Sequence, residues 1–100
     1  MTNTKTTATL DQLLTDISNS NNITLIVEHG DLTLTQGDLT GDCLTYVADK
    51  NWIVAIYNDF DCSIPIVGNI SLIESKDFND SPLHLYMLRY QGVTVTFSIR

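Results

Sequence analysis

Three Gly-Asp pairs crowd the segment GDLTLTQGDLTGD at residues 30–42, and the tetrad GDLT occurs twice, seven positions apart. Carboxylates repeated like this could converge on a divalent cation, or each pair could mark a corner of the chain. A calcium loop needs acids at alternating positions and a bidentate Glu to close the shell. Here Asp31, Asp38 and Asp42 are spaced by seven and then four residues, and no Glu closes the set. Calcium-binding nonapeptide arrays need G-G-x-G-x-D in tandem, which two copies of GDLT do not make. Corners need only what the pairs already supply: glycine reaches positive φ without steric cost, and an Asp side chain bonds the neighbouring backbone. The repeat then measures one strand plus one turn.

A second constellation is YNDFDCS, residues 57–63, where Asp59 and Asp61 flank Phe60. Two carboxylates at i, i+2 could share a metal ion or work as an acid/base pair. No third ligand stands nearby, so a solvated connection between strands is the plainer reading. An aromatic between two acids, close to Trp52 and Tyr57, also has the make-up of an interface hot spot with a charged rim. Nucleophilic catalysis would require Cys43 or Cys62 beside His29 or His84, and no spacing supports it. Zinc sites show paired short spacings that are absent here. Neither G-x-G-x-x-G, nor a Walker loop, nor G-x-S-x-G occurs. The expectation is a protein without metal, cofactor or catalytic residues.

Charge supplies the stronger signal. In 100 residues, 12 acids face 5 bases, for a net charge of −7. Such a field repels phosphate backbones, so direct nucleic-acid binding is disfavoured, while a basic protein surface is attracted. Simple solubility is the competing explanation. From Glu28 to Asp61 the acids are Glu28, Asp31, Asp38, Asp42, Asp49, Asp59 and Asp61, against Lys50 alone. If those corners share one end of a sheet they form an acidic rim, and the predicted partner-binding set is Asp38, Asp42, Asp49, Asp59, Phe60 and Asp61. No apolar run approaches the ~18 residues of a membrane span. The start, MTNTKTTATL, lacks the apolar stretch of a secretory signal, so a cytoplasmic location is expected. The two cysteines, without C-x-x-C spacing, read as buried reduced thiols, with a cross-strand disulfide as the alternative.

The elements that would carry these residues follow from periodicity. Residues 1–8 are polar and Thr-rich and read as a flexible tail, leaving 9–100 as one domain. Thr9 and Gln12 form a T-x-x-Q capping box. Leu10, Leu13, Leu14 and Ile17 then fall on one helical face, with Asp11 in the first turn where the helix dipole favours an acid. From residue 23 the pattern changes to β: ITLIV (23–27), DLTLT (31–35), CLTYVA (43–48), WIVAIY (52–57), IPIVGNISLI (64–73), LHLYMLRY (83–90) and VTVTFSI (93–99). WIVAIY is apolar on both faces and predicts a central strand covered on both sides. Asp49-Lys50-Asn51 and Gln91-Gly92 predict hairpin turns. Residues 82–90 predict a strand, with a helix capped by Ser81 and opened by Pro82 as the alternative. The fold class is α+β: one N-terminal helix packed on an antiparallel meander of about six strands.

No motif identifies a family. By size and charge the chain is similar to small proteins that bind and block others, such as phage-encoded inhibitors of restriction or CRISPR nucleases and toxin-immunity proteins. The resulting expectation is a non-enzymatic inhibitor acting by steric or charge-mimicking blockade. Two alternatives stand beside it. One is a self-associating assembly module or homodimer that pairs through a sheet edge, with the last strand as the candidate edge. The other is a small ligand-binding protein with its pocket between helix and sheet.

Overall fold

The computed structural model describes residues 4–100. Helix α1 (Leu10–Asn19) begins where the capping box places it: Thr9 Oγ1 accepts from the Gln12 backbone N–H at 3.1 Å, and Gln12 Oε1 accepts from the Thr9 N–H at 2.8 Å. Two otherwise orphaned donors are satisfied, so the first turn starts without fraying. The apolar stripe then does the holding. Leu13 and Ile17 are buried, and Leu10 and Leu14 pack beside them.

Among the described residues nine strands accompany the helix: β1 (Thr4–Ala8), β2 (Ile23–His29), β3 (Leu32–Leu39), β4 (Leu44–Val47), β5 (Trp52–Tyr57), β6 (Phe60–Pro65), β7 (Ile70–Lys76), β8 (Pro82–Tyr90) and β9 (Val93–Ile99). They form two antiparallel sheets rather than one meander. The larger has the order β1-β7-β8-β9-β2-β3, and the smaller is β4-β5-β6. The chain leaves the large sheet after β3, turns through a 3₁₀ segment Gly41–Cys43, builds the small sheet, and returns as β7. One buried cluster draws on α1 (Leu13, Ile17), the large sheet (Leu25, Tyr86, Phe97) and the small sheet (Ile53, Ala55, Ile64), so the three layers share a core.

Several sequence expectations hold. Residues 82–90 are strand, and both hairpin turns form where expected. Gln91 and Gly92 adopt positive φ (47° and 80°), as a two-residue type I′ hairpin loop requires, and Asn51 closes the longer β4–β5 loop at φ 55°. Val95, Phe97 and Ile99 of β9 point into the core.

Others are corrected. Of the expected tail 1–8, Thr4–Ala8 is an edge strand registered on β7 from Thr4↔Glu74 to Ala8↔Ile70, while residues 1–3 lie outside the described residues. Lys5, Thr6 and Thr7 are exposed while Ala8 meets the core, and such an edge strand carries no apolar signature. IPIVGNISLI is not one strand: Gly68, at φ 74°, lies between β6 in one sheet and β7 in the other. β5 is central in its sheet but covered on one side only. Ile53 and Ala55 are buried, while Ile56 on the opposite face is 57% exposed. β9 is not an edge; it pairs with β2 and β8 along its whole length.

The Gly-Asp pairs are corners, each of a different kind. Gly30-Asp31 is the β2–β3 hairpin loop, with Gly30 at φ 60°. Gly37-Asp38 lies in a β-bulge, where the β2–β3 register shifts and Asp38 takes φ 61°. Gly41-Asp42 opens the 3₁₀ turn. Asp31 and Asp38 are thus a strand length apart, about 23 Å at ~3.3 Å per residue, too far to share an ion.

Candidate interaction site

The small sheet distributes its residues by alternation. Ile53 and Ala55 point inward from β5; Trp52, Val54 and Ile56 point outward. Cross-strand pairing fixes their neighbours: Trp52 lies between Val47 and Pro65, Val54 between Thr45 and Ser63, and Ile56 beside Asp61. The outer face is therefore a three-residue apolar stripe, with Trp52 37% and Ile56 57% exposed. Its two ends differ in charge. At the Trp52 end, the Lys50 ammonium lies 5.5 Å from the indole centroid, a cation–π contact. At the Ile56 end stand Asp61, exposed on β6, and Asp59, exposed in the β5–β6 turn.

This geometry divides the predicted partner-binding set. Asp59 and Asp61 lie at one end of the small sheet. Asp42 is exposed in the 3₁₀ turn that leads into β4, beside the end of α1, where the Gly41 N–H donates to the Ser20 carbonyl. Asp49 sits in the β4–β5 turn at the opposite end, beside Lys50, about 17 Å away along β5 at ~3.4 Å per residue. Asp38 is exposed in the β3 bulge, on the large sheet. Phe60 does not face outward between its acids: it pairs with Tyr57 and packs against the core. Strand alternation sends residues 60 and 61 to opposite faces, so the apolar contact beside Asp61 comes from Ile56, across the strand.

The thiols of Cys43 and Cys62 are unbridged and half-buried. Burial, reinforced by the adjacent Asp61 carboxylate, pushes the Cys62 thiol above its ordinary range. Cys62 should therefore alkylate slowly with iodoacetamide at neutral pH, and Asp61→Asn should speed it about twofold, measured by mass spectrometry of the Cys62 peptide. No change in rate would mean that Asp61 does not act on the thiol.

A second cluster joins residues from distant parts of the chain. Asp16, on α1 next to the apolar stripe, accepts a hydrogen bond from the Tyr86 hydroxyl and contacts His84 Nδ1 at 3.0 Å. Glu74 pairs with His84 across β7 and β8, and together with Asp11, Gln12, Thr15 and Leu72 these residues line a cavity of about 400 Å³. A carboxylate on Nδ1 fixes the imidazole orientation, as in acid/base sites, but here the same carboxylate also holds a buried tyrosine. The arrangement fastens α1 to β8. Burial and the Asp16 hydrogen bond keep the Tyr86 hydroxyl protonated well above the ordinary phenol range. The unfolded chain loses that proton near pH ~10 while the folded chain keeps it, so stability should fall as pH rises above about 10. Urea melts from pH 8 to 11 should show that decline, and Tyr86→Phe should flatten it; an unchanged slope in Tyr86→Phe would contradict the assignment. Sequence reading missed this cluster because Asp16 and His84 are 68 residues apart. The local signal available was His84 and Tyr86 at i, i+2, on one face of a strand.

Phe78 is fully exposed, in a loop ordered by Asp77 Oδ1, which accepts from the Asn79 and Ser81 N–H groups at 2.8 and 3.0 Å. It is a single apolar point rather than a stripe. Among the described residues no helix is long and apolar enough to cross a membrane, and no group of three or more His, Cys, Asp or Glu residues is placed to hold a metal ion. The chain matches no family model, no curated protein and no solved structure.

Proposed function

We propose that the protein is a non-enzymatic binding protein that blocks a partner through the outer face of its small sheet. The observation that carries this reading is the exposed Trp52–Val54–Ile56 stripe, bordered at its Ile56 end by Asp59 and Asp61. An apolar centre with a charged rim is the make-up of a protein-binding patch, and aromatic residues dominate the energy of such patches. The rim and the net charge of −7 select a partner with a basic surface around an apolar recess. Nucleic-acid-processing enzymes and nuclease toxins present such surfaces to their phosphate substrates, so inhibition by charge mimicry or steric blockade follows from the same contacts, in the manner of a phage-encoded inhibitor or an immunity protein.

Capture from an extract of the encoding organism tests the reading with three chains: the wild type, Asp59→Lys/Asp61→Lys, and Trp52→Ala/Ile56→Ser. Each variant should lose at least tenfold in affinity for the same basic protein, about 1.4 kcal/mol. The salt dependence of the charge-reversed chain should be weaker than that of the wild type. Equal capture by all three chains would remove this face from the account.

A further inference from the structure

The two sheets have four outer edges, β1 and β3 on the large sheet and β4 and β6 on the small one. A free edge is a template for pairing with another chain, and proteins blunt it with short strands, charges or proline. Three edges are blunted in this way. β1 has five residues and carries Lys5; β4 has four; β6 carries Asp61 and ends at Pro65. β3 is the exception. It has eight residues, and its segment from Leu32 to Gly37 contains neither charge nor proline. Leu32 and Leu34, on one face of it, are 74% and 61% exposed.

We infer that β3 is a self-association edge, pairing antiparallel with β3 of a second copy about a two-fold axis through Thr33. The backbone directions permit it. His29 and Leu32 close a two-residue hairpin loop, so they exchange hydrogen bonds with each other, and Leu34 likewise turns its backbone groups toward β2. Thr33 and Thr35 turn theirs to the free edge. Centring the pair on Thr33 sets Leu32 opposite Leu34 of the other copy, and Leu34 opposite Leu32, on the same sheet face. It also sets Asp31 opposite Thr35.

Side-chain chemistry selects this register and this occupant. Centring on Leu34 would leave Leu32 opposite Gln36. A register shifted by three residues would set Asp31 against Asp38, a like-charge pair. In the Thr33 register the row Leu88–Val95–Val27–Leu34, already continuous across β8, β9, β2 and β3, extends into the second copy's Leu32. An isologous two-fold contact needs a surface that complements itself, and an uncharged Leu-Thr-Leu edge does so even between chains that each carry −7. The contact uses β3 and leaves the stripe on β5 free, so it stands independently of the proposed function.

Sedimentation velocity over a wide concentration range, at low and high salt, tests the dimer. The wild type should shift from monomer to dimer with concentration. High salt should strengthen the dimer, because the contact is uncharged and the two copies repel. Leu34→Lys, at an exposed position, should raise the dissociation constant at least tenfold. Oxidised Thr33→Cys should form a covalent dimer, since residues paired on the axis have Cα atoms ~5.5 Å apart. Thr35→Cys should not, its two copies lying about 13 Å apart along the strand. A monomer at every concentration, a Leu34→Lys chain that dimerises like the wild type, or a Thr33→Cys chain that fails to cross-link would each overturn the proposal.

Discussion

Phe97→Ala should lower the unfolding free energy by about 3–5 kcal/mol, the range for deleting a buried aromatic. Phe97 is 0% exposed and stands on β9, an interior strand of the large sheet. Its row runs from Leu25 through Phe97 and Tyr86 to Leu72, so its ring is flanked by side chains from both neighbouring strands. Alanine would leave a void that these fixed neighbours cannot fill. Against the 5–15 kcal/mol typical of a domain, such a loss lowers Tm by more than about 10 °C. Chemical denaturation monitored through Trp52 measures it. A cost below about 1 kcal/mol would mean that β9 does not occupy the centre of the sheet.

Gly41→Val should be nearly as damaging, for a different reason. A side-chain carbon at Gly41 would lie 2.6 Å from the Ile17 carbonyl oxygen and 3.2 Å from the Ser18 Cα. Both are backbone atoms of α1, so neither can swing aside. The Gly41 N–H also donates to the Ser20 carbonyl at 3.3 Å, which holds the entry to the small sheet against the helix end. Overpacking at a fixed backbone costs about 2–3 kcal/mol. The entropy that alanine removes from the unfolded chain, roughly 0.4–1 kcal/mol, is too small to offset it, so Gly41→Ala should be destabilising too. Thermal melts of both variants decide the matter; a wild-type melt for Gly41→Ala would contradict the close approach of Gly41 to α1.

These two positions mark what the chain reveals on reading and what it conceals. The helix was legible because its signals are local: Thr9 and Gln12 lie within one turn, and Leu10, Leu13, Leu14 and Ile17 repeat at the helical period. The alternation Val93, Val95, Phe97, Ile99 was legible in the same way. The second sheet was not, because the switch between sheets falls inside IPIVGNISLI, where both halves are apolar and only Gly68 interrupts them. β1 was hidden because an edge strand touching the core through Ala8 has no apolar pattern to show. At the candidate site, the acids at 59 and 61 were visible, but the direction of Phe60 depends on where β6 begins. With the strand starting at Phe60 itself, the ring turns inward and Ile56, read as core, turns out. Asp16, His84 and Tyr86 meet only through tertiary packing, which no spacing in the chain encodes.

The central claim is that the outer face of β5 meets the partner, and hydroxyl-radical footprinting of the protein with and without its captured partner tests it most directly. The account predicts that Trp52 and Ile56 lose most of their oxidation in the complex, while Phe78, fully exposed at the β7–β8 loop, is oxidised as in the free protein. Undiminished oxidation of Trp52 and Ile56, with protection at Phe78 in their place, would contradict it.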